Sequence, residues 1–121
     1  MYDHQMTIQL IKSRFPNLAD DLHDEIADGL LHIQIGVFSR FAQSVIDSED
    51  ERLWGQVTDT FVCLWKNCTL DVENALNVSF LENLNFDDGK SKRFWAYSEM
   101  PDAMRKAFDK MEMYNKEIHG G

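Results

Sequence analysis

An all-α protein, a single domain over residues 1–121 with roughly five to seven helices stacked as antiparallel hairpins, is the fold this sequence predicts. Apolar residues recur at helical spacing almost throughout, no segment alternates as an exposed strand does, and only 2 prolines and 6 glycines interrupt the 121 residues. Nothing is rich enough in Pro, Ser or Gly to form a linker, and no motif recurs at the period of a helical repeat. With 44% apolar residues, 8 Phe, 3 Trp and 3 Tyr, the chain can build a core without disulfide or metal. Size scaling lets about two-thirds of its unfolded surface become buried.

The first helix is expected from about Asp3 to Arg14, carrying Met6, Ile8, Leu10 and Ile11. It stops before Pro16, whose ring disfavours helical geometry in the residue ahead of it. Asn17 is placed to cap a second helix, in which Leu18, Leu22 and Ile26 recur at spacing four. A third runs from about Leu30 to Ile46, continuous with the second if the helix passes through Gly29. Its apolar positions sweep more than half the circumference, so it should be flanked on two or three sides. Ser48-Glu49-Asp50-Glu51 has the spacing of a capping box, Ser48 accepting one orphan N–H and Glu51 reaching back to another.

The fourth helix gathers Leu53, Trp54, Val57, Phe61, Leu64, Trp65 and Cys68 within an arc of roughly 120°. Thr69 is placed to cap the fifth, with Asp71 and Glu73 in a first turn where carboxylates complement the helix dipole. Val72, Ala75, Leu76, Val78, Phe80, Leu81 and Leu84 scatter around that wheel, which makes the fifth helix central. Glu82 falls among them, as Gln34 does on the third helix, and both are expected to be hydrogen-bonded structural groups, because a buried polar group left unpaired costs about 1–3 kcal/mol. Asp87-Asp88-Gly89 signals a turn. Phe94, Trp95 and Tyr97 form a loop-like aromatic segment. Pro101 suits the first position of a last helix with Ala103, Met104, Ala107, Phe108, Met111 and Tyr114 on one face.

Charge narrows the function. The chain has 21 acidic and 12 basic residues, net −9, and phosphate-driven binding to nucleic acid needs the opposite sign. An anionic membrane repels it too, and no window is apolar enough to span a bilayer. The first residues lack the basic and apolar stretches of a signal peptide. Cys63 and Cys68, five apart on one helix, would point about 140° from each other, so two free thiols and a reducing cytoplasm are expected. The acids are unevenly placed: residues 1–60 hold 11 acids and 4 bases, whereas residues 90–121 hold 5 acids and 7 bases. They form two dense blocks, Asp20, Asp21, Asp24, Glu25 and Asp28, then Asp47, Glu49, Asp50 and Glu51.

Asp24, Asp28 and His32, spaced i, i+4 and i+8, share a face on a continuous helix and are metal-ligand types. The Glu-x-x-His pairs of di-iron bundles, Cys/His zinc spacings and an EF-hand loop are all absent, so a solvated acidic face or docking surface is expected instead, with no metal and no cofactor. Cys63 and Cys68 have only Lys66 as a basic neighbour. His4, His23, His32 and His119 show no nucleophile partner in the sequence, and no phosphate-cradling or dinucleotide loop occurs. An enzyme is not expected.

The stretch Gly29-Leu30-Leu31-His32-Ile33-Gln34-Ile35-Gly36, running into Phe38, Phe41, Ala42 and Ile46-Asp47, resembles a family of small bacterial helical proteins of uncharacterised-domain type. So does Asp71-Val72-Glu73-Asn74-Ala75-Leu76-Asn77-Val78-Ser79-Phe80-Leu81-Glu82-Asn83-Leu84, with Met100-Pro101 downstream. The resemblance covers roughly residues 15 to 105 and rests on fold motifs, so it carries no catalytic residue across. It implies a toxin-linked gene neighbourhood and similarity to cytoplasmic immunity proteins.

The expected function is therefore binding: a monomer or weak dimer that captures a basic protein, the cognate toxin of an immunity protein, through both acid blocks. Trp95 and Tyr97 are expected as exposed aromatic anchors. An acidic helical adaptor is the alternative, and a small metal-dependent hydrolase using the Asp24/Asp28/His32 face a further one.

Overall fold

In a computed structural model that describes residues 1–87, 89–90 and 92–118, seven α-helices are joined by short turns, and no strand forms among those residues. Asp88 and His119 lie outside the described residues. Helix α1 spans His4–Arg14, begun by the Asp3 carboxylate accepting the Met6 N–H at 2.9 Å. Ahead of it Tyr2 bridges to the segment after the fourth helix, its N–H donating to the Asn67 carbonyl at 2.8 Å and its carbonyl accepting from the Thr69 N–H at 3.0 Å.

The expected second helix is reduced to a 3-10 turn, Pro16–Leu18, and the four-residue α2, Ala19–Leu22. Asn17 sits inside that turn and caps nothing. Continuity fails before Gly29 is reached: α2 ends at Leu22, with His23 outside helical geometry, and Gly29 at φ +76° keeps the turn from running helically into the next element. The chain turns through residues 23–30 and α3 begins afresh at Leu31, running to Asp47.

Ser48 does not cap the next helix. It closes α3, its hydroxyl donating to the Ser44 carbonyl at 2.9 Å, and Glu49 takes φ 57° beyond it. The Glu49 N–H then reaches the Ile46 carbonyl and the Asp50 N–H the Val45 carbonyl, a Schellman ending with glutamate where glycine usually stands. Asp50 caps α4, Glu51–Trp65, accepting the Leu53 N–H at 3.0 Å.

Cys68 falls beyond α4, in the connector to α5, Leu70–Ala75. From there the chain widens into a π turn, Leu76–Phe80, and tightens into a 3-10 turn, Leu81–Asn83. That change of pitch shifts the facing of every later residue. Leu81 enters the core while Glu82 is exposed, so Glu82 is not a buried structural group; it accepts a hydrogen bond from Asn115 at 2.8 Å. Gly89 takes φ +75° and donates to the Asp87 carboxylate at 2.9 Å; Asp88, the middle of the expected turn, lies outside the described residues. The aromatic segment is helical rather than loop-like, as α6, Phe94–Ser98. Helix α7 spans Asp102–Ile118, with Pro101 one residue ahead of it, its carbonyl accepting the Arg105 N–H.

The core is aromatic at its centre. Phe80 stacks between Phe38 and Phe61 at centroid distances of 4.9 and 5.5 Å, and Phe61 continues onto Trp65 at 5.3 Å. Trp54 joins α4 to α6, its indole N–H donating to the Ala96 carbonyl at 2.9 Å. Helix α7 buries Met104 and Phe108, whereas Ala103 and Tyr114 are exposed. Cys63 and Cys68 are free thiols. Among the described residues no helix is long and apolar enough to cross a membrane.

Candidate functional site

The break between α2 and α3 builds the most distinctive surface of the molecule. Where a continuous helix would have aligned Asp24, Asp28 and His32, each has a different task. The Asp24 carboxylate accepts the N–H groups of Ile26 and Ala27 at 2.9 and 2.7 Å, an Asx-type brace across the turn. Asp28 accepts from His23 Nδ1 at 2.7 Å, and His32 Nδ1 lies 2.8 Å from Ser79 Oγ. Among the described residues no group of three or more His, Cys, Asp or Glu side chains is arranged to hold a metal ion.

Ala27 anchors the turn by being buried, and Gln34 fixes it from below. Gln34 is 2% exposed; its amide nitrogen donates to the Leu22 carbonyl at 2.9 Å and its oxygen lies 2.6 Å from His4 Nε2. With that nitrogen committed, the amide oxygen faces His4, so Nε2 carries the proton. The expectation for Gln34 as a hydrogen-bonded structural residue holds.

Bracing the backbone leaves two kinds of group outside. Asp20, Asp21 and Glu25 are exposed and make no side-chain hydrogen bond or ion pair among the described residues. Ile26 is 68% exposed and Leu30 51%. Exposed apolar side chains and unpaired carboxylates thus share the one segment between residues 20 and 30. Beside it a cleft of about 550 Å³ opens between the turn and α1, lined among others by Asp3, His4, His23, Asp28 and Asp71. Asp71 is held below the usual carboxylate range, first by the hydrogen bond that the Thr69 hydroxyl donates to it. Cys68, close by in sequence, has its thiol pushed up, chiefly by burial and then by Glu73 and Asp71.

The second acid block is elsewhere. Helix α3 has 17 residues, so its ends are ~25 Å apart, and Asp47–Glu51 lies at the far one. Asp47 is paired with Arg93 at 2.6 Å, and Asp50 is spent as the α4 cap. Lys90 and Lys92 line the same hollow as Asp47 and Glu49, so the local field there is mixed. Trp95 and Tyr97 are half-buried on α6, packed against the core rather than exposed as anchors. The exposed residue of that segment is Phe94. Helical spacing had placed Ile26 on a buried face; the Asp28-Gly29 pair is the turn signal in that segment, although the helix has already ended at Leu22.

Fold and surface together define a small all-helical acidic protein that displays a braced, acid-rich turn. Residues 8–116 match the domain of unknown function DUF7674, and the chain belongs to that family. No curated protein and no solved structure matches the chain.

Proposed function

We propose that this protein is an immunity protein that binds and neutralises a basic bacterial toxin through the turn at residues 20–28. The observation that carries the proposal is the exposure of Ile26 and Leu30 on the same short segment as the exposed, unpaired Asp20, Asp21 and Glu25, on a backbone already held by Asp24 and Gln34. Carboxylates at a rim steer a cationic partner and raise the association rate. An apolar centre supplies the contacts that slow dissociation. A braced turn loses little conformational freedom on binding, which favours affinity. Asp47, Glu49, Asp50 and Glu51, at the other end of α3, take no part in this surface, and Ile26 and Leu30 replace Trp95 and Tyr97 as its anchors. Cytoplasmic residence belongs to the same proposal.

The test uses the toxin domain encoded beside the gene. Coexpression should protect cells from it. In stopped-flow experiments a triple Asp20→Lys, Asp21→Lys, Glu25→Lys variant should associate roughly tenfold or more slowly at low salt, and the wild-type rate should fall as salt screens the field. Ile26→Asp should raise the dissociation rate. Failure to protect would reject the immunity role. Protection with rates indifferent to both salt and charge reversal would reject this surface.

A further inference from the structure

A second concave surface, on the α6–α7 side of the molecule, has a composition that the turn does not share. A groove of about 660 Å³ runs between the Glu82–Asp87 segment, α6 and α7. Its aromatic residues are Phe86, Phe94, Tyr97 and Phe108. Phe86 and Phe108 form a buried floor, meeting edge to face at 5.0 Å and 89°. Phe94 and Tyr97 stand over it, stacked at 5.7 Å and 27°, and Phe94 is left 57% exposed.

The rim is acidic. Glu82 and Asp87 come from one side and Asp109 and Glu112, one turn apart on α7, from the other. No lysine or arginine is among the described residues that line the groove. Arg93 is bound to Asp47; Arg105 is bound to Asp102, though its charge still reaches the Tyr97 hydroxyl, and Lys116 lines the adjoining hollow, which shares Glu82 and Glu112 with the groove. Asp109 accepts the Tyr97 hydroxyl at 2.8 and 3.0 Å, which holds the phenol above its usual range and fixes the ring, yet leaves carboxylate lone pairs free. Glu112 makes no hydrogen bond or ion pair among the described residues.

We propose that this groove is a receptor for an arginine side chain presented by a protein segment. Four like charges around aromatic rings repel one another, and a cation relieves that repulsion while meeting the negative faces of the rings. Arginine fits better than lysine because its planar guanidinium stacks on a ring and hydrogen-bonds a carboxylate at its edge at the same time. The groove continues along α7 into a hollow in which Leu84, Phe108 and Met111 supply the apolar lining and Glu82, Glu112, Asn115 and Lys116 the polar one. That hollow suits an apolar residue next to the arginine, which a polyamine lacks. The groove and the 20–28 turn are separate surfaces, and neither proposal depends on the other.

The experiment is a backbone amide NMR titration of the full chain with an acetylated, amidated Leu-Arg-Leu tripeptide, its Leu-Lys-Leu counterpart, and spermine. The arginine peptide should give saturable shifts centred on Phe94, Tyr97, Phe108 and Glu112. Phe94→Ala, with its thermal midpoint followed alongside to confirm that it stays folded, should weaken it roughly two- to five-fold, and Glu112→Gln should also weaken it. The Asp20→Lys, Asp21→Lys, Glu25→Lys variant should bind it as the wild type does. Shifts that centre on residues 20–28, the absence of saturable shifts, or equal binding of the lysine peptide or spermine with no effect of Phe94→Ala would each overturn the proposal.

Discussion

At Gln34 one amide joins three parts of the chain: α3, on which it stands, the end of α2 through the Leu22 carbonyl, and α1 through His4. Leucine is one atom shorter and has neither donor nor acceptor, so Gln34→Leu leaves the Leu22 carbonyl unpaired and should cost about 1–3 kcal/mol in urea unfolding. Glu82→Ala should by contrast alter stability little, because the carboxylate is exposed and its Asn115 contact is a surface one. Asp71 gives a pH dependence of known sign. Its carboxyl is depressed by the Thr69 hydroxyl, so its contribution to stability is present at neutral pH and is lost as pH falls through the lowered native value. Thr69→Val should return the Asp71 carboxyl toward its ordinary range in a carboxyl-carbon NMR titration and weaken the acid dependence of unfolding.

Two left-handed backbone positions carry opposite conformational accounts. Gly29 stands at φ +76° with open space where a Cβ would be, so Gly29→Ala meets no clash and its cost is the backbone conformation alone, about 1–2 kcal/mol. Glu49 stands at φ 57° and already bears that strain in the Schellman turn after α3. Glu49→Gly should therefore stabilise the protein, by up to about 1 kcal/mol once the greater freedom of glycine in the unfolded chain is deducted. Thermal or urea unfolding of the two variants should show midpoints moving in opposite directions. Glu49→Gly leaving the midpoint unmoved or lower would mean that the glutamate is held by contacts stronger than its strain. The π turn at Leu76–Phe80 is the other element that local pattern did not disclose, since it changes the pitch and not the composition of the segment.

Across the whole molecule the aromatic stack from Phe38 through Phe80 and Phe61 to Trp65 ties α3, the π turn and α4 into one core. Phe80→Ala at its centre, where the side chain is fully buried, should cost about 3–5 kcal/mol. Wild-type unfolding should be cooperative and unaffected by dithiothreitol, because Cys63 and Cys68 are unpaired; a large loss of stability on reduction would contradict the structure. The all-α class, the starts of α1 and α3 to within a residue and the buried faces of α3 and α4 were legible in the chain, because period and turn residues are local properties that packing reinforces. Trp54, Phe61 and Leu64 are buried as their shared arc requires. The acid-rich turn was legible as composition but not as shape. Only the fold decided that the second helix stops at Leu22, that Ile26 faces outward and that Asp47 is drawn to Arg93 from 46 residues away. The same holds for the groove, whose four rings and four carboxylates come from segments as far apart as Glu82 and Glu112. Helical periodicity is set by neighbours three and four residues apart, so the sequence alone determines it; which carboxylates remain free is set by partners brought together in space, so only the tertiary structure decides it.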